Sequence, residues 1–145
     1  MSLFSALSVS ASGMAAQRTR AELLVQNIAN SETTRTAEGG PYRRKDAIFS
    51  SDSVSSAFSS ELDAQLSGTS TGVKVAGISV DNTEPEKRYM PGHPDADADG
   101  YVAMPRVNPA EDMVDLMGAS RSYQANVSAI SAVKDMIQHS IDLLR

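Results

Sequence analysis

The segment from Asn108 to Arg145, NPAEDMVDLMGASRSYQANVSAISAVKDMIQHSIDLLR, decides the fold because it predicts one long helix. Asn108 is a favourable N-cap residue, and Pro109 suits the first helical position. Glu111 and Asp112 follow in the first turn, where the helix dipole favours anions. Apolar side chains then recur at alternating spacings of three and four residues, which is typical of a helix with one apolar seam. The two polar positions of this seam are Ser120 and Lys134, and its apolar positions are Met113, Leu116, Tyr123, Val127, Ile130, Ile137, Ile141 and Leu144.

The first thirty residues carry a matching pattern. The same spacing predicts a helix over about residues 3–29, and Asn30 and Ser31 provide a stop signal. The large apolar residues of this second seam are Leu3, Leu7, Met14, Leu24 and Ile28. The two seams lie far apart in the sequence, so the simplest packing places the two helices side by side.

The region between the helices, residues 31–108, has a different character. Residues 42–49 and 73–80 have strand-like patterns, and the second is the stronger because it alternates and is β-branched. Residues 50–72 are rich in serine and predict a flexible loop, with a short helix possible over residues 54–66. Four prolines between residues 85 and 105 are expected to limit regular structure there.

These patterns predict a mainly α fold. Long N- and C-terminal helices are expected to pack as a coiled-coil-like pair, with a small β-containing region between them. The expected division is an N-terminal assembly helix in residues 1–30, a middle region in residues 31–108 and a C-terminal assembly helix in residues 109–145.

Composition excludes several function classes. The formal net charge of -5 argues against nucleic acid as a partner. No run approaches the roughly 20 apolar residues of a membrane span, and the N-terminus lacks the basic and apolar regions of a cleaved signal peptide. The chain has no cysteine, and His93 and His139 have no partners at catalytic spacing. We therefore expect no enzymatic activity, no cofactor and no metal site.

The stretch HPDADADG, His93–Gly100, resembles the start of an EF-hand loop. Asp95, Asp97, Asp99 and Gly100 fit the first half of that loop. Position 12 would be Arg106, a cation where the loop needs a bidentate carboxylate. A turn stabilised by hydrogen bonds from backbone amides to the aspartates is the favoured interpretation, and a calcium-binding module stays as an alternative.

The two seams indicate assembly between chains. A polar middle region leaves the helices little to bury against except each other, and a lone pair of helices has a marginal core. The apolar surface left over predicts packing against other molecules. A free-standing helical hairpin or coiled-coil oligomer is the second alternative.

Three motifs resemble one family. The run SASGMAAQRTRAELLVQNIANSETTRT, with Asn27-Ile28-Ala29-Asn30 at its core, resembles the N-terminal signature of the axial rod and hook proteins of bacterial flagella. The segment Ala119–Asn126 resembles the C-terminal signature of the same family. The segment Pro91–Asn108 is close to the proximal-rod members, although Arg106 stands where asparagine is expected.

This resemblance implies a structural subunit of the proximal rod in the flagellar basal body. Its members leave the cell through the flagellar type III apparatus without a cleaved signal, and their terminal segments pair as helices around a central channel of the periplasm-spanning rod. The partners implied are other rod proteins, copies of the same chain and the export apparatus. The expected assembly positions are Leu3, Leu7, Met14, Leu24, Ile28, Asn30, Met113, Leu116, Tyr123, Val127, Ile130, Ile137 and Ile141.

Overall fold

A computed structural model describes residues 3–53 and 71–143 of the chain. Within these residues, two long helices precede and follow two small antiparallel sheets of two strands each along the chain. In chain order the elements are α1 (Leu3–Ala29), β1 (Lys45–Ser53), β2 (Thr71–Val80), β3 (Glu86–Tyr89), β4 (Tyr101–Met104) and α2 (Pro109–Asp142).

The two predicted helices are confirmed. Helix α1 has 27 residues and α2 has 34. The Asn108 side chain accepts a hydrogen bond from the Ala110 amide, so the predicted cap and the proline after it start α2. Helix α1 contacts both α2 and the β1–β2 ribbon.

Strands β1 and β2 pair in register from Lys45 and Val80 to Ser53 and Thr71, with an irregularity after Ile48. The strand expected over residues 42–49 therefore begins three residues later. The prediction of a loop over residues 50–72 is wrong at both ends, because residues 50–53 pair with residues 71–74 across the ribbon. The rest of that loop, with the possible helix over residues 54–66, lies outside the described residues.

Strands β3 and β4 form a second ribbon in the region where prolines were expected to limit regular structure. The prolines at 85, 91 and 105 lie just outside these strands, so they remove no ladder hydrogen bond. Rings of Tyr89 and Tyr101 pack edge to face, with centroids 5.4 Å apart. Gly100 has a φ of 80°, and a Cβ there would lie 3.0 Å from the Tyr89 ring.

The hydrophobic core of the described chain is small. Its buried apolar side chains are Ala16, Leu23, Leu24, Val102, Ala119 and Val133. Two polar side chains, Asn27 and Asp112, are fully buried beside them. Since few large apolar groups are enclosed, hydrophobic burial within one chain contributes little, and polar contacts must help to position the helices.

Candidate assembly surface

The contact between α1 and α2 combines small and polar side chains with larger apolar ones. A Cβ added at Gly13 would lie 3.2 Å from the Asn126 side chain, so the helices approach closely there. Ala16 and Ala119 are both buried. Nearer the other end of the contact, Arg20 Nη2 lies 3.5 Å from an Asp115 carboxylate oxygen. From Gly13 to Arg20 the chain of α1 advances, whereas their partners run back from Asn126 to Asp115, so the helices are antiparallel.

Helix α2 presents apolar side chains to solvent next to this contact. Met113 and Met117 are each 53% exposed, Val127 is 42% exposed and Tyr123 is 41% exposed. At about 100° per residue, Tyr123 and Val127 lie beside the stripe that faces α1, Met113 lies further round the helix, and Met117 lies nearly opposite that stripe. We call these four side chains the outward apolar face. Exposed apolar patches of this kind mark interaction sites.

Helix α1 also carries uncovered apolar residues. Phe4 is 76% exposed, Val25 is 51% exposed and Leu3 is 40% exposed. Phe4 and Leu3 lie near one end of the helix and Val25 near the other. Both helices therefore retain apolar surface that no described part of the same chain covers.

The expected assembly positions fall into three groups of exposure. Leu24 is buried. The half-buried positions are Leu7, Met14, Ile28, Asn30, Leu116, Ile130 and Ile137. The exposed positions are Leu3, Met113, Tyr123, Val127 and Ile141. The structure does not bring the two predicted seams together as one closed interface.

Helix α2 is rotated relative to the orientation in which its predicted seam would face α1. The predicted seam and the observed inward stripe share Leu116, Ile130 and Ile137, but their alternate members differ by one residue. The inward stripe contains Asp112, Ala119, Asn126 and Val133, where the predicted seam has Met113, Ser120, Val127 and Lys134. The difference corresponds to a rotation of about 50°, half of the angle between neighbouring residues.

A fully buried asparagine joins α1 to the start of β1. The Asn27 Nδ2 group donates to the Lys45 carbonyl at 2.9 Å. Its Oδ1 atom accepts from the Tyr42 hydroxyl at 2.9 Å and from the Lys45 amide at 3.0 Å. The amide thus satisfies most of its hydrogen-bonding capacity within the protein, as a buried polar group must.

A buried ion pair joins the same segment to α2. Arg44 Nη2 lies 3.0 Å from Oδ1 of Asp112, whose side chain has no exposed area. Arg44 also contacts the Asp46 carboxylate at 3.2 Å. We call Asn27, Tyr42, Arg44 and Asp112 the polar junction. It fixes the ends of both helices to the segment that leads into β1.

The charges of the junction are poorly solvated. Burial raises the pKa of the Asp112 carboxyl above its ordinary value, although the Arg44 charge opposes the shift. Neither oxygen of Asp112 has a well-aligned hydrogen bond within the described chain. Burial also raises the pKa of Tyr42, with the negative charges of Asp112 and Asp46 adding to the effect. A carboxylate held this way adds little net stability, but it restricts where α2 can sit.

The sequence patterns do not single out the residues of the polar junction. In the sequence, Asn27 stands out only as part of the Asn-Ile-Ala-Asn motif, and Asp112 only as an acid in the first turn of α2. The other asparagine of the motif, Asn30, caps its own helix by donating to the Gln26 carbonyl at 2.9 Å. A signal for Asn27 was its polar type among Leu23, Leu24 and Ile28, which is unusual for a buried stripe.

The aspartate stretch forms a turn. Oδ1 of Asp97 accepts hydrogen bonds from the amides of Asp99 and Tyr101, which confirms the predicted use of an aspartate for backbone capping. Asp95 instead accepts from the Thr34 hydroxyl at 2.8 Å and lies 3.8 Å from Arg35. The turn is thereby attached to the segment that follows α1.

The remaining candidate groups lie apart. His139 is exposed on α2, and Nδ1 of His93 accepts a hydrogen bond from the Asp95 amide. Over residues 3–53 and 71–143, no three His, Cys, Asp or Glu side chains are arranged to hold a metal ion. Neither helix, as far as it is described, has the length and hydropathy to cross a membrane.

Comparison with known proteins places this architecture. Residues 98–143 match the family described as the C-terminal region of flagellar basal body rod FlgEFG proteins. The flagellar basal-body rod protein FlgC of Bacillus subtilis is 43% identical over 150 aligned residues, which cover 99% of both chains. The chain belongs to the FlgC family of flagellar basal-body rod proteins. The FlgC proteins of Borreliella burgdorferi and Salmonella typhimurium are 39% and 38% identical, and each alignment covers at least 98% of both chains.

Family membership covers the whole architecture. The alignments include both helices and the two ribbons, whereas the matched family model includes β4 and all of α2. The resemblance recognised from three sequence motifs is therefore confirmed over the full chain. Arg106, the departure from the expected motif, is exposed and lies close enough to Asp81 to help lower the pKa of that carboxyl, after the hydrogen bonds from Thr83.

Proposed function

We propose that this chain is a structural subunit of the rod in the flagellar basal body, and not an enzyme. The proposal rests on one observation. The contact between the two helices leaves Met113, Met117 and Val127 about half exposed. A protein that acts alone has no use for such a surface, whereas an assembling subunit does.

Residues 1–30 and 109–145 serve as the assembly elements of the subunit. Their helices pack in a coiled-coil-like manner and join copies of this chain and other rod components through the outward apolar face and the uncovered side chains of α1. The three-four spacing of apolar residues supports this mode of packing. Assembly of many copies through the same surfaces gives an open, heterologous array, and such arrays extend as filaments or tubes.

The position within the flagellum is the proximal rod, between the inner-membrane ring and the distal rod. The resemblance of Pro91–Asn108 to proximal-rod members supports this placement. The subunit reaches the rod through the type III export apparatus without a cleaved signal peptide, and neither nucleic acid nor membrane insertion takes part. The middle region, residues 31–108, positions the helices through the polar junction.

Mass spectrometry of detergent-stripped basal bodies from the source cells tests the proposal directly. The chain is expected to be enriched together with other axial proteins. A Val127→Asp variant should be depleted from these particles, because a carboxylate on the outward apolar face would have to be desolvated on assembly. Ala129→Asp is the matched control, since Ala129 is exposed on the same helix but away from that face. Absence of the unmodified chain from basal bodies would refute the assignment.

A further inference from the structure

Two adjacent stripes of α2 compete for the contact with α1. Asp112 is fully buried and Asn126 packs against Gly13, yet Met113 and Val127, each one residue further along the chain, are about half exposed. Turning the helix by about 50° would move both apolar side chains toward α1 and both polar ones away from it. The same turn would move two buried apolar side chains outward and two polar ones inward, namely Ala119, Val133, Ser120 and Lys134. Hydrophobic burial alone therefore does not select between the two orientations.

The polar junction restrains the orientation of α2 relative to α1. Arg44 Nη2 lies 3.0 Å from Asp112, so the first turn of α2 is tied to the segment before β1. That segment is itself held against α1, because Asn27 bonds to both the amide and the carbonyl of Lys45. Close approach at Gly13 then accommodates the Asn126 side chain further along the helix. Rotation of α2 would have to break the ion pair and leave Arg44 without its second carboxylate.

We propose that Asp112 is a positioning residue that, paired with Arg44, holds α2 rotated so that its apolar side chains face neighbouring subunits and not α1. The inference deepens the proposed function and rests on it, because it explains how the outward apolar face stays available for assembly. Buried ion pairs often contribute more to the choice of one arrangement than to stability, and this pair acts in that way.

A matched pair of cysteine probes measures the orientation. The chain has no cysteine, so single variants Val127→Cys and Val133→Cys can be labelled selectively with a maleimide. Val127 is 42% exposed and Val133 is 7% exposed, and the two valines lie on opposite flanks of the stripe that faces α1. With Arg44 and Asp112 both in place, the thiol of Val127→Cys should react several-fold faster than that of Val133→Cys.

The same two probes are then placed in an Asp112→Leu background. Loss of the ion pair should allow the helix to turn, so labelling of Val127→Cys should slow and labelling of Val133→Cys should accelerate. An Arg44→Met/Asp112→Leu double variant replaces both charges with apolar groups and keeps the test valid if the single variant folds poorly, because no buried charge is then left unpaired. Asp46, which also loses Arg44, is about half exposed. Circular dichroism confirms that helix content is retained.

The outcomes separate cleanly. A ratio of labelling rates that stays unchanged in the double variant would overturn the proposal, since the ion pair would then not determine the orientation. Equal labelling of the two probes with the ion pair intact would also overturn it, because the single chain would then hold no fixed orientation. Both labelling measurements use the purified chain. Their failure would leave the proposed function standing if the chain is found in basal bodies. Absence of the chain from basal bodies would refute the proposed function whatever the labelling rates are.

Discussion

Replacement of Asn27 by alanine should destabilise the chain far more than the same change at Asn30. Both residues belong to one four-residue motif, and both are asparagines at the end of α1. Asn27 is fully buried and makes three hydrogen bonds to Tyr42 and Lys45, residues 15 and 18 positions away. Asn30 is half-buried, and its side chain bonds only to Gln26 and Thr33, within its own turn.

The magnitude follows from what each change leaves behind. Asn27→Ala removes three hydrogen bonds and strands the amide and carbonyl of Lys45 and the Tyr42 hydroxyl in a partly buried site. Each stranded group costs on the order of 1 kcal/mol, so the free energy of unfolding should fall by about 3 kcal/mol. Asn30→Ala loses local bonds that water can replace, and should cost about 0.5–1 kcal/mol.

Urea titration of both variants, followed by circular dichroism, gives the comparison. The expected result is a much lower midpoint for Asn27→Ala with a similar slope, and a small shift for Asn30→Ala. Hydrogen exchange provides a second readout, because protection of the Lys45 amide should be lost only in Asn27→Ala. Equal losses of stability in the two variants would refute the reasoning that stability depends on the hydrogen bonds of Asn27 to Tyr42 and Lys45 and not on the motif as such.

Three further outcomes are expected. Ile28→Asp should be secreted normally yet be absent from basal bodies, as judged by immunoblots of both fractions, because the seam is needed only after export; equal loss of secretion would contradict this. Burial raises the pKa of Asp112 in the folded chain above its ordinary 3.8, so the native state keeps a proton that the unfolded chain has already lost. The contribution of this carboxyl to stability therefore declines as pH rises through the range between the two pKa values. The stability of Asp112→Asn relative to the unchanged chain should thus improve between about pH 3 and pH 7 in urea titrations, and a decline would show that Arg44 dominates. Gly100→Ala should lower the melting temperature, measured by calorimetry, through its positive φ and contact with Tyr89, whereas Gly92→Ala, which meets no atom, should not.

The helices were predictable because their signals are local. Asn108, Pro109 and the acids after them act within one turn, and the apolar spacing persists over the whole segment. Strands β3 and β4 were not predicted, because each has only four residues and their pairing depends on a turn that Asp97 and Gly100 stabilise. The prolines looked like interruptions, but they flank the strands.

The orientation of α2 could not be read from periodicity. A three-four spacing leaves two adjacent stripes that share every second member, and each of them carries both apolar and polar residues at the members that differ. The choice between them depends on Arg44, 68 positions before Asp112 in the numbering. Since that contact joins distant parts of the chain, no local pattern reports it. For the same reason the sequence shows Asn27 as part of a motif but does not show its hydrogen bonds to Tyr42 and Lys45.

The single chain is stabilised by polar contacts within it, whereas its assembly is proposed to use apolar contacts between chains. Different residues make the two sets of contacts. If Met113 and Val127 closed against α1, they would gain hydrophobic burial, but the surface proposed to join the chain to its neighbours would be lost. With a polar junction at the base of the helices, stability of the chain and its capacity to assemble depend on different residues. Asn27→Ala should therefore weaken the single chain, whereas Val127→Asp should leave its urea midpoint nearly unchanged and abolish incorporation into the rod. The two effects would be inseparable if one seam performed both tasks.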